Sequence, residues 1–422
     1  MKYIKRIIDD EIREKLSVTG AIVIKGPKWC GKTTSAKRVA KSVLEMQDSD
    51  LHDNYLELAN TKPSLLLEGE KPRLIDEWQV APKLWNAVRH SVDKISEPAQ
   101  YILTGSATPK DDDTMHTGTG RFAFVLMKPM TLYESGESTG SVSISELLSG
   151  NTEIDGLRTE LTYESIAHIL CRGGWPSAVA SGGVSTTKVA ENYLELLCES
   201  DISKVDGVKR NPSLAKTILK SYARHVSTIN SDKSLYDDVQ ANFSDVSDRT
   251  IIDYLDALKR LYVIEETEAW NPNIRSKTSI RSAPKKSMVD PSLAVAALGC
   301  SPAELMLDAK TYGLLFENLV SRDLKVYINS VNGSLKHYRD RFGLECDNVA
   351  HFRNGKFALI EVKLSGSRVK EAEEHLLKLR KLIMENEPLL GVPAFLMIIT
   401  GTDMAYTTDN GVLVVPVGCL KN

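Results

Sequence analysis

The sequence has no long hydrophobic run. Its longest apolar stretches, such as residues 289–298, are broken and fall far short of the roughly 20 residues a membrane-spanning helix needs. The opening MKYIKRIIDDEIREKL holds no uninterrupted apolar segment and carries acids, so it does not read as a secretion signal. Cysteine is scattered: Cys30, Cys171, Cys198, Cys300, Cys346 and Cys419 form no CxxC pair and no Cys/His group with zinc-ligand spacing. Such cysteines point to a reducing compartment, so the expected location is cytoplasmic, with no membrane contact. Excess positive charge is also missing. The net charge is −3, so any nucleic-acid contact has to come from a local patch. There is no internal repeat and no low-complexity tract.

The composition is that of a soluble globular chain, 42% hydrophobic and 26% charged. Its 422 residues exceed one ordinary core, and two or three domains are expected. Residues 2–16 read as an amphipathic helix. An apolar strand at 21–24 runs into a Gly-rich turn and a helical stretch at 33–46. Further strands at 73–75, 101–104 and 122–126 alternate with helix, which predicts a parallel α/β sheet. From about 156 the pattern turns helical, with a Gly173-Gly174-Trp175-Pro176 turn that anchors the helices. Ile251, Ile252, Leu255 and Leu258 have helical spacing, and a strand follows in VIEETEAW. Helix, turn, helix and strand suggest a winged helix. Residues 271–287 are polar and basic and read as a linker or exposed loop. The remainder, 288–422, mixes helices with apolar strands and reads as a separate α/β domain.

Gly26-Pro27-Lys28-Trp29-Cys30-Gly31-Lys32-Thr33 matches GxxxxGK[ST], after a strand and before a helix as a phosphate loop requires. Backbone N–H groups of 26–34, through Thr34, would cradle the phosphates of ATP. Lys32 would reach the β- and γ-phosphates, and Thr33 would hold Mg²⁺. Trp29 either packs under the nucleotide or fills the core. Arg73-Leu74-Ile75-Asp76-Glu77 is an apolar strand ending in two acids. Asp76 is the expected second Mg²⁺ residue and Glu77 the general base for the attacking water. Thr104 and Ser106 end the next strand, at the edge that faces the ligand crevice, and either is a candidate γ-phosphate sensor. Arg121, after His116-Thr117-Gly118-Thr119-Gly120, is a candidate to stabilise transition-state charge, in its own chain or across a homo-oligomer interface. The Asp111-Asp112-Asp113 run reads as a solvated loop.

GPKWCGKT, LIDEWQ, LTGSA and HTGTGRF…KPMTLYESGES resemble the AAA-type ATPases of bacteria and archaea whose C-terminal domain resembles restriction endonucleases. The likeness continues through GGWPSAV, YLDALKRLYVIEE and GLLFENLV, nearly the whole chain. It implies an AAA-type P-loop domain over 1–155, a helical lid and winged helix over 156–270, the linker 271–287, and a restriction-endonuclease-like α/β domain over 288–422.

In that C-terminal fold, acids hold Mg²⁺ and a lysine orients or activates water. The matching residues are Glu317 in GLLFENLV, Asp347, and the Glu361-x-Lys363 pair, whose side chains share one face of a strand. Strand register can be reasoned from the turn at Asn354-Gly355. A two-residue loop would turn Asp347 away from Glu361. A three-residue loop with Gly355 left-handed pairs Phe352 with Lys356 and sets Asp347 opposite Glu361. It also leaves Cys346, Ala350, Phe352, Ala358, Ile360 and Val362 as an apolar face, so the three-residue loop is expected. Asp347 and Glu361 are then the candidate metal pair, and a salt-bridged, inactive cluster is the alternative.

A DNA-reading helix is usually basic. Here Asp245, Asp248, Asp253 and Asp256 surround Arg249, Lys259 and Arg260, which suits a protein partner at least as well. The basic stretch 275–286 is the better phosphate contact. Three readings follow: an Mg²⁺-dependent ATPase that couples nucleotide state to a nuclease-like effector, an ATP-gated nuclease on DNA or RNA, and a nucleotide-dependent protein-binding switch.

Overall fold

A computed structural model describes residues 3–106, 118–181, 187–229, 231–272 and 282–422. The acidic run 111–113, the 116–117 segment and most of the 271–287 stretch lie outside the described residues.

Five strands, β1 (Ala21–Lys25), β2 (Ser42–Glu45), β3 (Arg73–Asp76), β4 (Tyr101–Gly105) and β5 (Phe122–Leu126), form a parallel sheet in the order β2-β3-β4-β1-β5. β1 is buried on both faces, which explains its unbroken apolar sequence. Ala21 and Val23 pack with Ile75, Leu103 and Trp85 on one face. Ile22 and Ile24 pack on the other with Ile12 and Leu16 of the helix Ile8–Val18. The two-residue alternation thus builds two cores from one strand.

The helix expected over 33–46 is shorter than its sequence suggests. It spans Lys32–Lys37, and the chain then turns into β2, which pairs with β3. Leu44 and Met46 are buried while Val43 and Glu45 are exposed. That two-residue period, together with the backbone ladder to β3, outweighs a weak helical spacing.

The middle of the chain holds the helices Tyr163–Arg172, Lys188–Leu196, Pro212–Arg224, Asp232–Gln240 and Asp248–Arg260. β6 (Val142–Ser143) precedes them. β7 (Ile264–Thr267) and β8 (Lys285–Met288) follow, and these two pair antiparallel. The exposed loop expected over 271–287 therefore ends in a strand: Lys285, Lys286 and Ser287 are all buried. Each lysine finds an acid there, Glu317 for Lys285 and Asp232 for Lys286, which lets a basic sequence sit inside.

The C-terminal part forms a six-stranded sheet in the order β13-β14-β12-β11-β10-β9. Its strands are β9 (Gly333–Arg339), β10 (Glu345–Phe352), β11 (Phe357–Lys363), β12 (Leu396–Thr400), β13 (Tyr406–Thr407) and β14 (Leu413–Pro416). The helix Val369–Asn386 covers one face. The helix Ala309–Ser330 shares a core with the other, and this core continues through the middle helices. Leu132, Val142, Ile144, Leu147 and Ile154, expected with the first domain, also pack in it. β15 (Leu420–Lys421) returns to pair with β6.

Asn348 stands opposite Ile360 and His351 opposite Phe357. Phe352 N–H donates to Lys356 O at 2.9 Å across a loop in which Gly355 has φ +83°. This is the register of the three-residue loop. One residue of the expected apolar face departs from it. Cys346 packs with Val349 and Leu359 on the opposite face, because β10 is irregular against β9 between Cys346 and Val349. An extra residue there reverses which side chains point inward.

Candidate functional site

The phosphate loop joins β1 to the helix Lys32–Lys37. Gly26 has φ +149°, and a Cβ on it would lie 2.2 Å from Met127 O, so only glycine fits. Behind the loop, Arg6 is buried. Its Nη1 donates to Cys30 O at 2.9 Å, its Nη2 to Lys128 O at 2.8 Å and its Nε to Glu134 Oε1 at 3.0 Å. Cys30 is fully buried and Pro27 turns away, so these two and Gly26 shape the loop from behind. Lys28, Trp29, Gly31, Lys32, Thr33 and Thr34 line a cleft of 920 Å³. Trp29 is half exposed and meets Tyr193 edge-on at 6.0 Å.

Lys32 is buried and folds back, donating to Pro27 O at 2.7 Å and Gly26 O at 3.0 Å. Thr33 Oγ1 donates to Asp76 Oδ1 at 2.7 Å. The parallel register carries Asp76 beside Thr104, whose hydroxyl donates to the same carboxylate oxygen. Glu77 holds the left-handed backbone at φ +56°. Its Oε2 accepts from Ser106 Oγ at 3.1 Å and from Gln79 Nε2.

Geometry bears on two expectations. Thr104 is fully buried, its hydroxyl donates to Asp76, and it does not line the cleft. Ser106 does line the cleft. Arg121 precedes β5, and β5 runs parallel to β1 with Phe122 beside Ala21. It therefore lies at the end of the sheet opposite its own chain's loop, where its Nε pairs with Asp93 Oδ1 at 2.7 Å, and it does not complete the site within its own chain.

The far wall of the cleft comes from the middle helices through Pro176, Asp201, Lys204 and Leu261. Lys28 Nζ bridges the opening to Asp201 Oδ1 at 2.7 Å. Asp201 ends a π-helical turn, Leu197–Asp201, a deformation that often marks functional positions. The sequence reading missed Arg6, Gln79, Asp201 and Lys204. Gln79 ends the LIDEWQ segment without a role assigned to it, no motif announces the other three, and only the π turn gives a structural signal.

A second cluster forms in the C-terminal sheet. Glu317, Asp347, Glu361 and Lys363 come together as expected, but Lys285 of β8 joins them. Lys285 Nζ lies 2.7 Å from Glu317 Oε1 and 2.5 Å from Asp347 O. Lys363 Nζ lies 2.7 Å from Glu361 Oε2 and 3.4 Å from Asp347 Oδ2. Val362 N–H donates to Asp347 Oδ2 at 2.9 Å. Burial, then the Asp347 charge, pushes Glu317 up to about 7, and the same two causes raise Glu361. Asp347 is held below the usual range. Burial alone would raise it, and Lys363 and Lys285 reverse that. The metal pair expected at Asp347 and Glu361 does not fit this arrangement, because ammonium groups already hold the carboxylates. Among the described residues no three His, Cys, Asp or Glu side chains are placed to hold a metal.

Of the basic groups weighed for nucleic acid, Arg249 is exposed, while three others sit in ion pairs. Lys259 pairs with Glu266, Arg260 with Asp206 and Lys286 with Asp232. Residues 275–281 lie outside the described residues. No described helix is long and apolar enough to cross a membrane.

The sheet order, with β1 between β4 and β5 and the acidic β3 beyond β4, and the Thr33–Asp76 contact fix the kind of site. Residues 3–135 match the family model described as AAA domain. This N-terminal region is an AAA-type P-loop domain. Residues 163–304 match Domain of unknown function (DUF8612), and residues 312–420 match Domain of unknown function (DUF4143). Two curated mycobacterial relatives, an uncharacterized protein of Mycobacterium tuberculosis and one of Mycobacterium bovis, are each 23% identical over 93% of this chain and 84% of their own length. A Walker-type ATPase of Pyrococcus abyssi aligns at 15% identity with a TM-score of 0.44, covering 70% of this chain and 96% of its own.

Proposed function

We propose that this chain is a cytoplasmic, Mg²⁺-dependent ATPase whose nucleotide state is passed to its C-terminal α/β region. The observation that carries the reading is the meeting of Lys32, Thr33 and Glu77 in one cleft, with Asp76 held behind it by the Thr33 hydroxyl. Thr33 and Asp76 fit Mg²⁺: a hydroxyl and a carboxylate oxygen 2.7 Å apart lie at the mouth of a phosphate loop. Bound there, Mg²⁺ would neutralise charge on the β- and γ-phosphates. Lys32 would leave the loop carbonyls for the phosphate oxygens. Glu77, released from Gln79 and Ser106, would take the proton of the attacking water. The middle helices close the other side of the cleft, so the Lys28–Asp201 bridge would break or move when nucleotide enters.

The order of helix, β9-β10-β11, helix and β12 agrees with a restriction-endonuclease-like fold. The helices 232–240 and 248–260 with the β7–β8 hairpin agree with a winged helix used for packing. Because Lys259 and Arg260 are already paired, a protein partner fits this surface better than nucleic acid. Phosphate release from ATP tests the activity. Glu77→Gln should keep nucleotide binding and lose about 10²–10⁴-fold in rate, the usual worth of a positioned general base. Full activity in Glu77→Gln would exclude Glu77 as the general base.

A further inference from the structure

The C-terminal cluster gathers three acids, Glu317, Asp347 and Glu361, which are not spaced as a metal site and are held by the protein's own cations. Lys285 enters it from β8, its side chain 7% exposed. It lies against Glu317 and the backbone of Asp347, with Asp347 Oδ1 3.9 Å away. Lys363 takes Glu361 and the second Asp347 oxygen. A divalent ion would have to share those oxygens with two positive charges, the buried Lys285 and the partly buried Lys363, which Coulomb repulsion disfavours in a poorly screened interior.

Lys285 is held in place from a distance. It pairs across the ladder with Thr267, and Glu265 lies two residues away on the same strand, β7. Glu265 is gripped by Lys128 at 2.5 Å and by Lys325 at 3.1 Å. Lys128 lies just beyond β5, and its carbonyl is bound by the same Arg6 that holds Cys30 O of the phosphate loop. One two-stranded ladder is thus linked to the back of the phosphate loop through Lys128 and Arg6 on one strand and fills the carboxylate cluster with the other.

We propose that Lys285 takes the place of a divalent metal in the cluster of Glu317, Asp347 and Glu361, and that the β7–β8 ladder, pinned through Glu265, locks it there. The C-terminal centre is a closed ion-pair lock in this state, and metal enters only where Lys285 is withdrawn.

The test is Mn²⁺ binding to the full chain without nucleotide, read from the electron paramagnetic resonance of free Mn²⁺. It therefore stands whether or not the phosphate loop hydrolyses ATP. Wild type should show no Mn²⁺ site that Asp347→Asn removes. Lys285→Met should gain one site, at least tenfold tighter than anything in wild type, and lose it again when Asp347→Asn is added. Should Lys285→Met fail to fold, Lys285→Met with Glu317→Gln removes one charge of each sign and supports the same comparison. A wild-type site that depends on Asp347 and binds as tightly as in the variant would overturn the proposal, and so would a folded Lys285 variant that gains none.

Discussion

Replacing Arg322 with methionine tests how the three parts of the chain are held together. Arg322 is 1% exposed and lies between Asp290 at 2.7 Å and Asp323 at 2.7 Å, both also fully buried. Asp290 accepts from Ser292 N, Ser292 Oγ and Gly174 N, so it ties the Gly174-Trp175 turn to the helix Pro291–Leu298. Asp323 accepts from Leu132 N at 2.9 Å, which ties the helix Ala309–Ser330 to the segment after β5. Methionine keeps the apolar stem and deletes the charge. Removing one partner of a buried pair costs about 3–5 kcal/mol. Asp290 keeps three hydrogen-bond donors, so most of that cost falls on Asp323, which keeps one. Burial already raises Asp323 to about 6 despite Arg322, and without the guanidinium its carboxyl rises further. A carboxyl whose folded value lies above its unfolded one destabilises the protein when ionised, and that cost fades as pH falls through the folded value. Urea unfolding should therefore show a loss of about 3–5 kcal/mol at pH 8 and about half of it or less at pH 5. A loss below about 1 kcal/mol, or an equal loss at both pH values, would refute the reasoning.

Two further outcomes follow from buried groups. Burial, helped by Lys285 and Arg339, lowers His337 from 6.5 to about 4. Between those values the unfolded chain binds the extra proton, so stability should fall as pH falls, by about 3 kcal/mol at about 1.4 kcal/mol per tenfold change. Urea midpoints at pH 7 and pH 4.5 should show this loss shrinking in His337→Asn, and an unchanged pH dependence would remove His337 as its source. Thr104→Val deletes one of the hydroxyls that orient Asp76. At about 1 kcal/mol for a lost hydrogen bond, the Mg²⁺ needed for half-maximal ATPase should rise several-fold while ATP affinity at saturating Mg²⁺ holds. Unaltered Mg²⁺ dependence would argue against the positioning role.

The phosphate loop and its acidic strand were legible because backbone conformation and chemistry restrict residue type there: Gly26 has no room for a Cβ, and Asp76 has to end a buried strand. The β10–β11 register was legible for a similar reason, since one apolar face and a left-handed Gly355 admit only one loop length. Other features depend on contacts far along the chain. β2 is a strand only because β3 lies beside it. Lys285 reads as loop-like until Glu317 and Asp347 accept its charge. Arg121 follows a suggestive Gly-rich segment, yet strand direction puts it at the end of the sheet away from its own chain's phosphate loop. Cys346 changes face through one irregularity in β10 that no local pattern marks.

Calorimetric titration of MgATP into wild type and Lys32→Ala tests most directly whether the phosphate loop binds nucleotide. Wild type should bind saturably with one nucleotide per chain, and affinity should drop at least a hundredfold when Lys32 can no longer reach the phosphates. Equal affinity in the two proteins, or no binding to folded wild type, would contradict the ATPase reading.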